Sequence, residues 1–290
     1  MVKPLPRSDF RAARKVIEPK DSKDLGLSPR AEPAPSDRTD EETWDSIVLF
    51  PDDAAVRCSS HNGRMLGQHL TLWNVWVNAI QDPDVSIADG SPLLWDAADE
   101  FQACTFNSLC GYYRLAISAL RNILELSCAA ALLSLDPQAP PIADYWDRDE
   151  VKFGEICSEL QAARAVINLE GHLAKTTQDN ILTRNPKGWV RRLYAELCRY
   201  SHSRPSYTTF MLWNKRRPIY ARGSLLRTHK LLIETYCLCC ILWGLWYPGP
   251  LGRGAPLGEL VRTLLRPRWK WGKTARCALA WLRANVPAKS

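Results

Sequence analysis

The chain has 290 residues, 46% of them hydrophobic, enough to bury one sizeable core with tails outside it. Its net charge of +7 conceals a division: residues 1–180 hold 17 basic and 28 acidic side chains, and residues 181–290 hold 21 and 3. It has no glycine-rich phosphate loop, HExxH, GxSxG or paired-Asp metal motif, which disfavours the enzyme classes built on them, and no metal or cofactor is expected.

Residues 1–45 alternate Pro, Ser, Asp, Glu, Lys and Arg with little apolar periodicity, and are read as a disordered leader. A helical domain is expected over 46–250. Trp44, Ile47, Val48, Leu49 and Phe50 form a docking segment that Pro51, Asp52 and Asp53 end in a turn. Met65, Leu66, Leu70, Trp73, Val77 and Ile80 recur at helical spacing and predict a helix over 64–81. Ser91 and Pro92 read as the N-cap and first position of a run leading into a central helix, 101–135.

In that central helix Asn107, Arg114, Ser118, Arg121 and Glu125 are spaced seven, four, three and four apart, which places them within an arc of roughly 60°. Apolar residues cover the other sides, so other helices must bury it. The stretch is long enough to span a bilayer, but Arg121 and Glu125 at its middle favour a soluble core helix. Three readings of the polar stripe remain open: a buried Arg–Glu network joining helices, a ligand or phosphate site, or a solvated stripe.

After a proline-rich break at 135–144, an amphipathic helix is expected over 149–168, then a polar helix or loop to residue 185. Residues 186–201 place Trp189, Val190, Leu193, Leu197 and Tyr200 on one helical face. Residues 207–222 suit a short hairpin or a packed loop anchored by Trp213 and Tyr220, and 224–247 form an apolar core helix. The ten scattered cysteines, with no preceding secretory signal, suit a reducing cytosol; Cys237 and Cys240 have CxxC spacing but read as core filler rather than a zinc site.

Residues 251–290 read as a basic amphipathic arm. Arg266, Arg268, Lys270 and Lys273 flank Trp269 and Trp271, so cations could meet phosphates while indoles stack on unpaired bases. Leu260, Val261, Leu264, Leu265, Ala278, Trp281 and Leu282 could instead pack on the domain or lie on an anionic membrane.

Three strings carry a resemblance: GYYRLAISALRNILE at 111–125, WVRRLYAELCRYSHSRP at 189–205 and LWNKRRPIY at 212–220. Together they resemble a group of poorly characterised bacterial helical proteins with a YRxAxxxLR…E helix, an LYxxLxxYxH helix and an LW…PxY segment. More distantly the layout is similar to the HEPN helical superfamily. The resemblance implies an all-α fold and marks Arg114, Arg121, Glu125, Tyr194, Tyr200, His202, Trp213 and Tyr220; Arg204 lies within the second string. A HEPN-like metal-independent ribonuclease would draw its base, proton donor and phosphate cation from Arg121, Glu125 and His202. HEPN nucleases typically carry Arg and His four to six residues apart, whereas Arg199 and His202 have two residues between them.

The sequence thus favours an all-α, bundle-like cytoplasmic protein with an interaction or regulatory role, nucleic-acid-linked and in a phage-defence or stress context by family analogy. The alternatives are the ribonuclease, a structural scaffold or a peripheral membrane protein. Candidate partners are RNA or another polyanion through the C-terminal half and a second copy of the chain, with a membrane ranking last.

Overall fold

The computed structural model describes residues 50–86, 88–136, 153–184, 187–201, 220–251, 255–264 and 270–285. The leader 1–45, most of the proline-rich break, the expected hairpin or loop before Tyr220, and candidates His202, Arg204, Trp213, Arg266, Arg268 and Trp269 lie outside them. Among the described residues the fold is all-α, with no strand. The helices are α1 (Phe50–Ile80), α2 (Pro83–Ser86), α3 (Ser91–Leu109), α4 (Tyr113–Leu135), α5 (Phe153–Ala162), α6 (Arg164–Thr176), α7 (Trp189–Ser201), α8 (Arg222–Gly244), α9 (Pro256–Leu264) and α10 (Gly272–Ala284).

The expected continuous helix over 101–135 is two helices. Gly111 takes φ of 83°, a left-handed conformation that costs glycine little, and this reverses the chain between α3 and α4. The pair forms an antiparallel hairpin. Asn122 Nδ2 donates to Glu100 Oε1 at 2.9 Å across it. At its far end a Cβ on Gly90 would lie 2.5 Å from the Ala130 carbonyl oxygen, so the two backbones approach closely only because residue 90 has no side chain. Asn107 consequently leaves the α4 stripe; it sits on α3 and donates to the Ala103 carbonyl at 2.8 Å.

Other boundaries shift for local reasons. Pro51, Asp52 and Asp53 begin α1 rather than ending a segment, since proline tolerates a first turn and acidic groups favour the positive end of the helix dipole. That helix runs on through a kink at Asn62, whose amide donates to the Tyr220 hydroxyl at 2.8 Å. Gly90, not Ser91, is the N-cap of α3. The helix expected over 149–168 divides at Ala163, which is extended (φ −63°, ψ 134°).

Helices α3, α5, α7 and α8 pack around α4. Between 113 and 135, α4 is long and apolar enough to cross a membrane, and 67% of its most apolar stretch is buried inside the protein. Helix α1 packs chiefly on α3 rather than on α4. There the fully buried Trp76 meets Phe101, Tyr236 and Trp243 at ring-centroid distances of 5.2, 5.7 and 5.0 Å. The apolar faces of α9 and α10 join the same core through Leu257, Val261, Ala275, Ala278 and Leu282. All ten cysteines are free, and eight are buried.

A histidine pair ties α1 to α8. His69 Nε2 and His229 Nδ1 are 2.9 Å apart, with rings stacked at 5.1 Å. One nitrogen must donate and the other accept, so double protonation breaks the bond. Burial first, and then the His229 charge, push the His69 pKa down from 6.5 to about 3. A depressed folded-state pKa means that this contribution is complete above 6.5 and is lost as pH falls towards 3. Acidification from pH 7 to pH 5 is therefore expected to remove about 2 kcal/mol through His69. Urea unfolding of the wild type and a His69→Gln variant at both pH values checks this: the variant should lose less, and equal losses would acquit the histidine.

Candidate functional site

Two regions collect the candidate residues, and α7 contributes to both. The first is centred on α4, where Arg121 and Glu125 lie one turn apart on the face turned towards α7. Arg121 Nε and Nη2 both donate to Glu125 Oε1, at 3.1 and 3.0 Å. The Tyr194 hydroxyl of α7 donates to the same oxygen at 2.7 Å. The guanidinium lies 5.5 Å from the Tyr194 ring centroid, and Phe153 of α5 stacks on that ring with centroids 3.9 Å apart. One carboxylate oxygen thereby joins α4 to α7, and the tyrosine ring joins both to α5.

Electrostatics follow from this geometry. Burial, and then its bond to a carboxylate, hold the Tyr194 phenol well above its ordinary pKa, so the group is a fixed donor and not a base. Burial opposes the Arg121 charge, but Glu125 outweighs it and the guanidinium stays protonated. Cys198, one turn beyond Tyr194, is likewise raised by burial and is not a ready nucleophile.

Glu125 also lines a cleft of about 570 Å³ between α3, α4 and α5. Asp96, Asp99 and Glu100 of α3 line it as well, and Leu126, Ala129, Phe153 and Ile156 form its apolar wall. The acidic α3 residues do not stand out in the sequence read as one helix over 101–135. Their signal was the spacing of 96, 99, 100 and 103 on one helical face, legible only once α3 is separated from α4.

The second region lies where α7, α8 and α10 meet. The buried Trp189 stacks on Trp271, with centroids 5.4 Å apart, and donates its indole N–H to Glu234 Oε1 at 2.9 Å. The Arg192 guanidinium and Lys270 Nζ sit 5.5 and 5.3 Å from the Trp271 ring. Burial raises the Glu234 pKa, while Trp189, Arg227 and Lys270 pull against that rise. Arg227 also pairs with Glu196. Lys230, Lys273 and Arg276 are exposed beside these helices. Trp271 is 7% exposed, so its indole is occupied by the core and not presented for stacking on a base.

The remaining candidates stand apart from these groups. Tyr220 stacks on His61 at 5.7 Å, in the joint between α1 and α8. Arg114 is half-buried at the start of α4, two turns before Arg121. Among the described residues no three His, Cys, Asp or Glu side chains converge as metal ligands. No family model, curated protein or solved structure matches the chain.

The three-way bond at Glu125 has a measurable signature. Tyr194→Phe removes a donor to a charged acceptor and is expected to lower stability by about 1.5 kcal/mol. Glu125→Ala should cost more, because it leaves both the guanidinium and the phenol without their acceptor. Combining the two should cost clearly less than the sum in denaturant unfolding; additive losses would mean that Tyr194 does not act through Glu125.

Proposed function

We propose that the protein is a helical interaction or regulatory protein that engages an anionic polymer, RNA in the first instance, through the basic face of α7, α8 and α10. The observation that carries this reading is the arrangement around Trp271. All three acidic side chains of residues 181–290 are already engaged: Glu196 with Arg227, Glu234 with Trp189, and Glu259 with Arg262. Against those three, residues 181–290 carry 21 basic side chains, and Asp179, which accepts from Thr274 of α10, is engaged as well. Arg192 and Lys270 are held over the Trp271 ring, an attraction typical of cations on indole faces, which lowers the entropy lost when they meet phosphates.

Such a face reads charge and shape more than sequence. Phosphate contacts from Arg and Lys supply affinity by releasing counterions, and they carry no base information. Because Trp271 packs on Trp189, base stacking there adds little. A cytoplasmic setting with access to RNA, and a role in defence or stress, belong to this proposal by the family resemblance alone.

The test is fluorescence anisotropy with a labelled single-stranded RNA across a salt series. The wild type is expected to bind with a steep salt dependence. Replacing Arg192, Lys270 and Lys273 together with Ala should weaken binding at least about tenfold and flatten the slope of log K against log salt by about 2. Arg121→Ala should leave both unchanged, with the RNA intact throughout. Undiminished binding by the triple variant would overturn the assignment of this face, and metal-independent cleavage lost on Arg121→Ala would replace it with the ribonuclease reading.

A further inference from the structure

The cleft beside Glu125 is built from two matching stripes. Asp96, Asp99, Glu100 and Ala103 on α3, and Asn122, Glu125, Leu126 and Ala129 on α4, each follow the i, i+3, i+4, i+7 pattern that shares one helical face. The hairpin at Gly111 turns those faces towards one another, and Phe153 and Ile156 of α5, three residues apart, close the third side. The resulting 570 Å³ falls within the range of about 300 to 1,000 Å³ typical of small-molecule sites.

Its chemistry is divided. Leu126, Ala129, Phe153 and Ile156 give an apolar wall, and Phe153 is fixed by its stack on Tyr194. Asp96 and Asp99 are exposed, with Glu100 half-buried beside them. No Lys, Arg or His is among the described lining residues. Arg121 offsets Glu125. Glu100 accepts from a neutral amide, Asn122, and Asp96 and Asp99 have no described ion-pair partner. Asp96, Asp99 and Glu100 thus give this side of the cleft a negative potential that no described cation offsets.

We infer that this cleft binds an organic cation, an ammonium group carried on an apolar body. The ammonium sits between Asp99 and Glu100, and the body lies against Leu126, Ala129 and Phe153. A bare metal ion does not fit this description, because the carboxylates do not converge as a ligand set and the apolar wall would be left unused. The cleft is on a different set of helices from the basic face, and the inference does not depend on RNA binding.

Isothermal titration of the full chain tests it with four probes at neutral pH and low salt: 2-phenylethylamine, benzyltrimethylammonium, 3-phenylpropionate and spermidine. Saturable one-to-one binding is expected of the first, the second or both, and not of the phenylpropionate, which matches the amine in size with opposite charge. Asp99→Asn at an exposed position, combined with Glu100→Gln, whose amide oxygen can still accept from Asn122, should weaken the organic cation at least about tenfold. Ala103→Trp, which fills the cleft from α3, should abolish its binding; circular dichroism confirms that both variants fold. The inference fails if the phenylpropionate binds as well as the amine, if the carboxylate variant binds with wild-type affinity, or if neither aromatic cation binds at millimolar concentration. Spermidine binding as tightly as the aromatic cations would also sink it, since the apolar wall would then contribute nothing.

Discussion

Everything in this fold depends on α4 being covered from several sides while carrying a charged pair at its middle. Its Ala116, Ile117, Leu120, Ile123, Leu124, Cys128 and Ala131 are buried by surrounding helices, and each large side chain returned to water would forfeit about 1.5 to 3 kcal/mol. Such a helix cannot also hold an isolated Arg121 or Glu125 without penalty. The solution is local: the two charges meet one turn apart, and Tyr194 supplies a third bond to the shared oxygen. The same bond fixes α7 against α4, so satisfying the polar pair and positioning the neighbouring helix are one event.

Helix α7 then joins the two candidate regions. Tyr194 meets the acid-lined side of α4, whereas Trp189 and Arg192 meet α8 and α10, where cations predominate. Its N-terminus is held by a carboxylate clamp on the preceding loop: Glu170 of α6 accepts backbone N–H bonds from Ile181, Leu182 and Thr183 at 3.1, 2.6 and 3.1 Å. The Trp189 N–H in turn bonds the Asn180 carbonyl at 3.1 Å. Among the described residues, Asp96, Asp99 and Glu100 line the cleft of α3, α4 and α5, whereas Arg192 and Lys270 gather over Trp271.

Much of this was legible in the sequence, for a physical reason. Helical periodicity reports burial directly, so the apolar faces of α7 and α8 and the Arg121 and Glu125 stripe could be read from spacing alone. The turn at Gly111 could not. A glycine between Cys110 and Tyr112 in an apolar run is tolerated by a helix, and only the packing of α3 back onto α4 selects its left-handed conformation. Missing that turn placed Asn107 on the wrong helix and hid the opposition of Asp96, Asp99 and Glu100 to Asn122 and Glu125. The division at Ala163 had no sequence signal, since alanine favours the helix that it interrupts. Trp271 failed differently: a tryptophan between lysines suits a stacking platform and a core anchor equally, and the choice rests on Trp189, 82 positions earlier.

The Arg121 seam and the basic face compete as places for a phosphate, and charge decides between them. A phosphate approaching Arg121 meets a guanidinium whose Nε and Nη2 already bond one carboxylate, with three more carboxylates lining the cleft alongside. It must displace Glu125 or face it at short range, and like charges in a half-buried setting repel strongly. At the α7, α8 and α10 junction the carboxylates are engaged and the cations outnumber them. There, among the described residues, a phosphate would displace no carboxylate from Arg192, whose Nε bonds the Lys187 carbonyl, whereas at Arg121 it must first dismantle the bond that holds α7 on α4.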